Sequence, residues 1–194
     1  TIDAELASFE RAGMGQSANA CKQFFGGRYG DGYSGVSLVS RGSLLPGVDE
    51  HFPYTIAALR AVAAHHSKSA TSEPFDSQRT DEPLGELDTM VGGTRLAFFA
   101  RQAAESMVPP HSDHLNYLLT AHLGLRVPTT EKGEECSIFF PRTREKVVWR
   151  AHKLAPLLQT SFEHAAVNDT PEDRVILYFD LWHPALTLPE PRAL

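Results

Sequence analysis

His111, Asp113 and His164 are the residues whose types and spacing could do chemistry together. If the stretch MVPPHSDHLNYLLTAHLGLRVP (107–128) runs extended, His111 and Asp113 are two apart and share one face. A histidine from a distant strand would complete the set. Two imidazoles and one carboxylate on one side of a metal leave positions open, the arrangement used for non-haem Fe(II) that binds a co-substrate and O2. Open positions are what make such a site catalytic. The pattern alone is weak, because a chain with nine histidines contains several such triplets by chance. The same histidines could equally be satisfied by hydrogen bonds within a core.

Arg174 lies about ten residues beyond His164, at the start of the apolar run RVILYFDLW. A buried arginine needs an anionic acceptor, and its planar fork matches a carboxylate bidentately. In an iron site with open positions, a 2-oxoacid would supply that carboxylate. The alternative is an exposed arginine paired with Asp173 or Glu172, a contact worth little. The residues alone leave both readings open.

These groups need elements to position them. Asp3 and Glu5 precede Leu6 and Phe9, which predicts a short amphipathic helix over 3–12. FFGGRYGDGYSGVSL (24–38) is glycine-rich but has no GK[ST] after it, so it reads as a loop leading into a strand at 35–40. Pro53 followed by Ile56, Leu59 and Ala63 predicts a helix over 52–66. The polar, proline-bearing stretch 67–83 reads as a surface loop. After residue 90 the texture changes to short apolar runs separated by turns or prolines, which suggests a β-sandwich, barrel or jelly roll. NDTPED (168–173) is a strong turn signal and predicts a hairpin between 162–168 and 174–182. The expected architecture is a single domain, mainly β with N-terminal helices. Residues 1–90 form a helical and loop part packed on a β core of 91–190 that carries the chemistry.

Composition narrows the function classes. The chain has 194 residues, a hydrophobic share of 42% and a charged share of 22%, as in ordinary globular proteins. A net charge of -6 disfavours nucleic acid, whose binders carry a basic footprint. Cys21 and Cys136 make neither a disulfide framework nor a zinc ribbon. No apolar run has the length of a membrane span, and TIDAELASFERAG lacks the basic start of a signal peptide. The expected location is therefore the cytoplasm.

PPHSDHLNYLLTAHLGLRVP, then Trp149, then SFEHAAVNDTPEDRVILYFDLWHPALT resembles the aspartyl/asparaginyl β-hydroxylase family. That family runs as H-x-[D or G]-x-x-N, then HLGL-V-P, a tryptophan, F-E-H, an arginine about ten residues on, and D-x-W-H-P-x-L-T. The motifs occur here in that order over roughly 95–188, and nothing before residue 90 aligns with them.

The resemblance implies a double-stranded β-helix, a cupin-like jelly roll, that uses Fe(II), 2-oxoglutarate as co-substrate and O2. It implies that His111, Asp113 and His164 are iron ligands, where some members have glycine in place of Asp113. It implies that Arg174 grips the distal carboxylate of 2-oxoglutarate, while His122 in HLGL lies near the co-substrate's other end. Family members often carry an arginine two residues before that histidine. This chain has Thr120 there, so the expectation is either that a water or another base such as Arg101 takes the role, or that co-substrate binding is weaker.

The implied activity is hydroxylation of an aspartyl/asparaginyl-type or other amino-acid carbon, with release of succinate and CO2. The partner would be an amino acid or peptide: free, carrier-tethered or within a chain. The sequence has no helical repeat region of the kind that accompanies the protein-modifying animal members, which favours a small or tethered substrate. Two other readings are a cupin-like binding protein whose metal is structural or absent, and a zinc-dependent hydrolase or isomerase on a similar barrel. His114, His65, His66 and His152 are expected at the surface, and His183 in a structural hydrogen bond. Trp149 and Trp182 are expected in the core, and Asn116 in the loop after the ligands. The basic run 141–153 is expected on a solvated face, against the alternative that it contacts an acidic substrate.

Overall fold

The computed structural model describes residues 1–13, 23–25, 32–70, 94–113, 115–131 and 135–183. Helix α1 (Ile2–Arg11) is capped by Thr1, whose hydroxyl accepts from the Ala4 amide, and it buries Leu6 and Phe9. Three further elements lie before residue 48: strands β1 (Gln23–Phe25), β2 (Tyr33–Ser40) and β3 (Ser43–Leu44). The short α2 (Val48–His51) leads into α3 (Pro53–Ala70), which extends past the predicted helix into the stretch expected as loop. The remainder of that stretch, from 71 on, lies outside the described residues, as do His114, Cys21 and residues 26–31 of the glycine-rich segment. Glu5 of α1 caps α3, accepting from the amides of Tyr54 and Thr55 at 2.6 and 2.9 Å. A carboxylate at a helix N-terminus satisfies donors that have no partner within the helix.

Seven strands follow: β4 (Ala97–Gln102), β5 (Ser106–His111), β6 (Leu118–Arg126), β7 (Cys136–Phe140), β8 (Glu145–Val148), β9 (His164–Asn168) and β10 (Arg174–Trp182). They form two antiparallel sheets. The larger is ordered β1-β2-β4-β10-β6, with β3 paired to β2, and the smaller β5-β9-β7-β8. Strand β10 is central and is buried on both faces. Val175, Leu177, Phe179 and Leu181 pack with Leu6, Phe9, Ile56 and Leu59 of the helices and with Phe52 between α2 and α3. Ile176 and Tyr178 turn the other way, toward Val108, Ile138 and Ala166 of the smaller sheet. This explains why RVILYFDLW reads as an unbroken apolar run, since alternation is visible only when one face meets water. The two facing antiparallel sheets, with helices on the outer side of one, make a mainly β double-stranded β-helix, as expected.

The predicted hairpin is not formed. Strand β9 pairs with β5 and β7, whereas β10 pairs with β4 and β6. The turn at 168–173 instead carries the chain from one sheet to the other. The turn is present but its two arms are not paired, because turn chemistry fixes a change of direction and not which ladder each arm joins. Asn168 organises the crossover from a fully buried position. Its side-chain amide donates to the carbonyls of Ala103 and Glu172, both at 2.9 Å, and its Oδ1 accepts from the Thr170 hydroxyl at 2.6 Å.

The segment after β8 crosses the open side of β6. Backbone bridges join Thr120 to Leu158 and Leu123 to Leu154, and the amides of Gly124 and His152 pair with the carbonyls of Lys153 and Gly124 at 3.0 and 2.8 Å. A Cβ on Gly124 would stand 2.2 Å from the Arg150 carbonyl oxygen. Only glycine lets the two backbones approach this closely. The glycine of HLGL thus seats the segment that delivers Trp149 and Thr160. Gly124→Ala should cost about 2 kcal/mol of unfolding free energy or more, in the range of core overpacking; denaturant melts check this, and an unchanged midpoint would refute the close approach.

Candidate active site

A cavity of about 300 Å³ opens between the two sheets. His111, Asp113, His164, Arg174 and His122 all line it. The five side chains singled out in the sequence therefore share one space, although they come from strands far apart in the chain.

His111 ends β5 and sits directly across the ladder from His164, the first residue of β9. Their ring centroids are 4.3 Å apart. Strand β5 is a sheet edge, which accommodates Pro109 and Pro110 just before His111, and the pairing shifts register between Val108 and His111. Each imidazole is held the same way. His111 Nδ1 donates to the Pro109 carbonyl at 2.8 Å, and His164 Nδ1 donates to the Phe162 carbonyl at 2.9 Å. A carbonyl only accepts, so Nδ1 carries the hydrogen in both rings, and in the neutral ring the lone pair is then on Nε2. This is the tautomer that metal-ligating histidines adopt, with the outer nitrogen fixed by a second hydrogen bond.

Asp113 does not reach the cavity by strand alternation. Strand β5 stops at His111, and Asp113 lies in the connection beyond it, its amide bonded to the Thr160 carbonyl at 2.9 Å. The residue lines the cavity and is half-buried. Among the described residues, no three His, Cys, Asp or Glu side chains draw together as a ready ligand cluster. The structure thus pairs the two histidines and places Asp113 in the lining of the same cavity.

Arg174 is 1% exposed, which removes the reading of a surface arginine. Asp173, the suggested surface partner, is taken by Arg101, whose Nε donates to it at 2.7 Å. That pairing also removes Arg101 as the substitute for the family arginine, since it lies outside the cavity lining. The Arg174 Nε has no hydrogen-bond partner, and none of the ion pairs among the described residues includes this guanidinium. Burial lowers its pKa, yet arginine remains protonated in proteins. What it has is the face of Trp149, 4.3 Å from guanidinium carbon to ring centroid, a cation–π contact.

The same indole serves His122. Trp149 Nε1 donates to His122 Nδ1 at 3.2 Å. Nδ1 is therefore the acceptor, and the hydrogen of the neutral ring sits on Nε2. Burial, with Arg174 and His164 nearby, lowers the His122 pKa to about 3, so the ring is neutral at physiological pH. Trp149 is buried, as expected, but it also orients two polar groups of the cavity, a role no composition argument exposes. The signal available in the sequence was its place between HLGL and FEH.

At Thr120, where an arginine was expected, the side chain is fully buried and bonds the Thr160 hydroxyl at 2.8 Å and the Tyr178 hydroxyl at 3.3 Å. Three hydroxyls occupy that wall. The basic run 141–153 faces solvent, with Lys146 and Arg150 paired to Glu135 at 3.2 and 3.5 Å, which favours the solvated-face reading. His65 and His152 are exposed as expected. Trp182 is only half-buried and stacks on Tyr117, so it is not a core residue in the sense expected. The Asn116 carbonyl accepts from Gln159 at 2.9 Å.

The model of the family described as aspartyl/asparaginyl beta-hydroxylase matches residues 79–184, more than half of the chain. The human aspartyl/asparaginyl beta-hydroxylase is 35% identical over 85 residues, which span 44% of this chain and 10% of that protein. The mouse protein of the same name matches over the same proportions at 35% identity. The chain thus corresponds to a small part of the length of these relatives. Among solved structures, NgTET1 in complex with 5mC DNA superposes with a TM-score of 0.52 at 14% identity, covering 96% of this chain and 70% of that one. At that identity the likeness is one of fold.

Trp149→Phe keeps an aromatic face for Arg174 but removes the donor to His122. A buried acceptor left unpaired costs about 1–3 kcal/mol, so the imidazole should redistribute its hydrogen between nitrogens. Nitrogen-15 NMR of the histidine rings should show His122 protonated at Nε2 alone in the parent chain and a tautomer mixture in the variant. The same single tautomer in both would contradict this role for Trp149.

Proposed function

The chain belongs to the aspartyl/asparaginyl β-hydroxylase family, and from that premise we propose that it is an Fe(II)- and 2-oxoglutarate-dependent dioxygenase that hydroxylates an amino-acid carbon. The observation that carries the reading is the pairing, in one cavity, of two lone-pair-presenting imidazoles with a buried arginine that lacks an anion. His111, His164 and Asp113 would hold the iron. Neutral nitrogen donors with one carboxylate suit Fe(II) and leave positions for the co-substrate and O2. When bound, the iron and 2-oxoglutarate would together supply the oxidative chemistry, with succinate and CO2 as by-products; the protein's share is binding, orientation and exclusion of side reactions.

Arg174 would take the distal carboxylate of 2-oxoglutarate. Its fork is buried and backed by Trp149, so a carboxylate there gains a charge-assisted bidentate bond out of water. His122 would present Nε2–H to an oxygen at the co-substrate's other end, and its depressed pKa keeps it a neutral donor. The hydroxyls of Thr120, Thr160 and Tyr178 would provide the remaining polar wall in place of an arginine. Phe98 stacks on Tyr178 with ring centroids 4.3 Å apart, and with Ile138 and Val108 it keeps the cavity apolar between these groups.

The primary substrate would be a free, carrier-tethered or peptide-borne amino acid. No described helix is long and apolar enough to cross a membrane, and the acidic net charge disfavours nucleic acid as a substrate. Anaerobically purified protein supplied with Fe(II) and 2-oxoglutarate should release succinate when O2 is admitted, and faster with a suitable amino acid or peptide. His111→Ala should fall to background. Succinate no higher in the parent chain than in that variant, with every substrate tried, would overturn the proposal.

A further inference from the structure

The wall that β10 gives the cavity runs through Arg174, Ile176, Tyr178 and Asp180, alternate residues of one strand face. Six residues at roughly 3.3 Å each separate its ends by about 20 Å. Counting from the 168–173 crossover, His164 lies four residues back along β9 and Tyr178 four forward along β10. At one end Gln102, the ladder partner of Arg174, donates to the Ala166 carbonyl of β9. At the other Thr120, the ladder partner of Asp180, bonds Thr160, whose carbonyl in turn accepts from the Asp113 amide. His164 and His111 thus fall in the chain between these two contacts, with Arg174 toward one and Asp180 toward the other.

Asp180 is almost fully buried. Its Oδ1 accepts from the amides of Arg95 and Leu96 at 2.7 and 2.8 Å. Its Oδ2 has no hydrogen bond and lies 3.5 Å from the Arg95 Nε, which also lacks a hydrogen-bond partner. The Arg95 side chain is 30% exposed and lines the cavity. One end of its fork is thus anchored by charge to a rigid buried carboxylate. Its only ion pair among the described residues is this loose one. A guanidinium held at a cavity wall with its donors unused is arranged to receive an anion.

We propose that Arg95, positioned by Asp180, is the specificity-determining residue for the primary substrate and binds a carboxylate of it on the side of the histidine pair opposite Arg174. The inference rests on the reading of Arg174 as the co-substrate end. A planar carboxylate fits better than a phosphate group. The guanidinium fork matches it two bonds for two, and with Asp180 already beside Arg95 a single negative charge is better balanced than a double one. A cation at each end, with the two imidazoles between, would keep the dianionic co-substrate and the acidic substrate in separate registers.

The test is calorimetric binding to the full chain of two probes of near-equal shape, N-acetyl-aspartate α-amide and N-acetyl-asparagine α-amide. The parent protein should bind the carboxylate probe roughly tenfold tighter or more, the scale of a charged hydrogen bond. Arg95→Gln should reduce that preference to within about twofold, and Arg95→Lys should retain part of it. No preference in the parent chain, or an undiminished one in Arg95→Gln, would overturn the proposal. Titration of 2-oxoglutarate into Arg174→Gln tests the underlying reading separately: binding as tight as in the parent would remove Arg174 from the co-substrate end, whatever the two probes show.

Discussion

The site depends on a buried positive charge without a protein counter-charge. Arg174 is desolvated at the start of the central strand, and the described ion pairs leave it out. An isolated charge taken out of water is costly. The contact with the Trp149 face offsets only a part, since such contacts contribute on the order of 2 kcal/mol when desolvated. The remaining imbalance is what gives the cavity its preference for an anion. Trp149 ties this charge to His122, so the cation and the neutral donor beside it are set by one side chain.

The fold delivers Arg174 to that position by moving the chain between sheets. Asn168 ends β9 and fixes the crossover through both side-chain oxygen and amide, and Arg174 begins β10 immediately after it. His164 opens β9 and meets His111 across an edge ladder, so the arginine and the imidazole pair are spaced by strand geometry and not by loops. The Gly124 contact seats the 149–160 segment over β6 and brings in Trp149 and Thr160. Positions held by ladders and close backbone contacts are those a functional constellation needs, because small displacements there are resisted by many bonds at once.

Much of this was legible in the residues, for definable reasons. Helix α1, the core of α3 and strand β2 follow from apolar spacing and caps, which are local signals. The β class of the second half was visible in run length and turn residues. His111, His164, Arg174 and His122 could be singled out by motif order, and all line one cavity. Strand pairing was not legible. The turn at 168–173 looks like a hairpin because local chemistry does not reveal that β9 and β10 bury opposite partners. The route of Asp113 to the cavity was not legible either, since alternation applies only inside a strand and β5 ends two residues earlier. Trp149 as an orienting group, the hydroxyl wall at Thr120 and the Arg95–Asp180 pair are all contacts between distant segments. No spacing rule carries them.

The claim that Arg174 is a charge awaiting a carboxylate is tested most directly by thermal unfolding of the parent chain and of Arg174→Gln with and without 2-oxoglutarate. A ligand at free concentration L that binds only the folded state stabilises it by RT ln(1 + L/Kd), and so raises the midpoint more the tighter it binds at a given concentration. The account predicts that millimolar 2-oxoglutarate raises the midpoint of the parent chain by several degrees, that 2-oxobutyrate, which lacks the distal carboxylate, raises it far less, and that Arg174→Gln no longer distinguishes the two. An equal response to both compounds in the parent chain, or an undiminished preference for 2-oxoglutarate in Arg174→Gln, would contradict it.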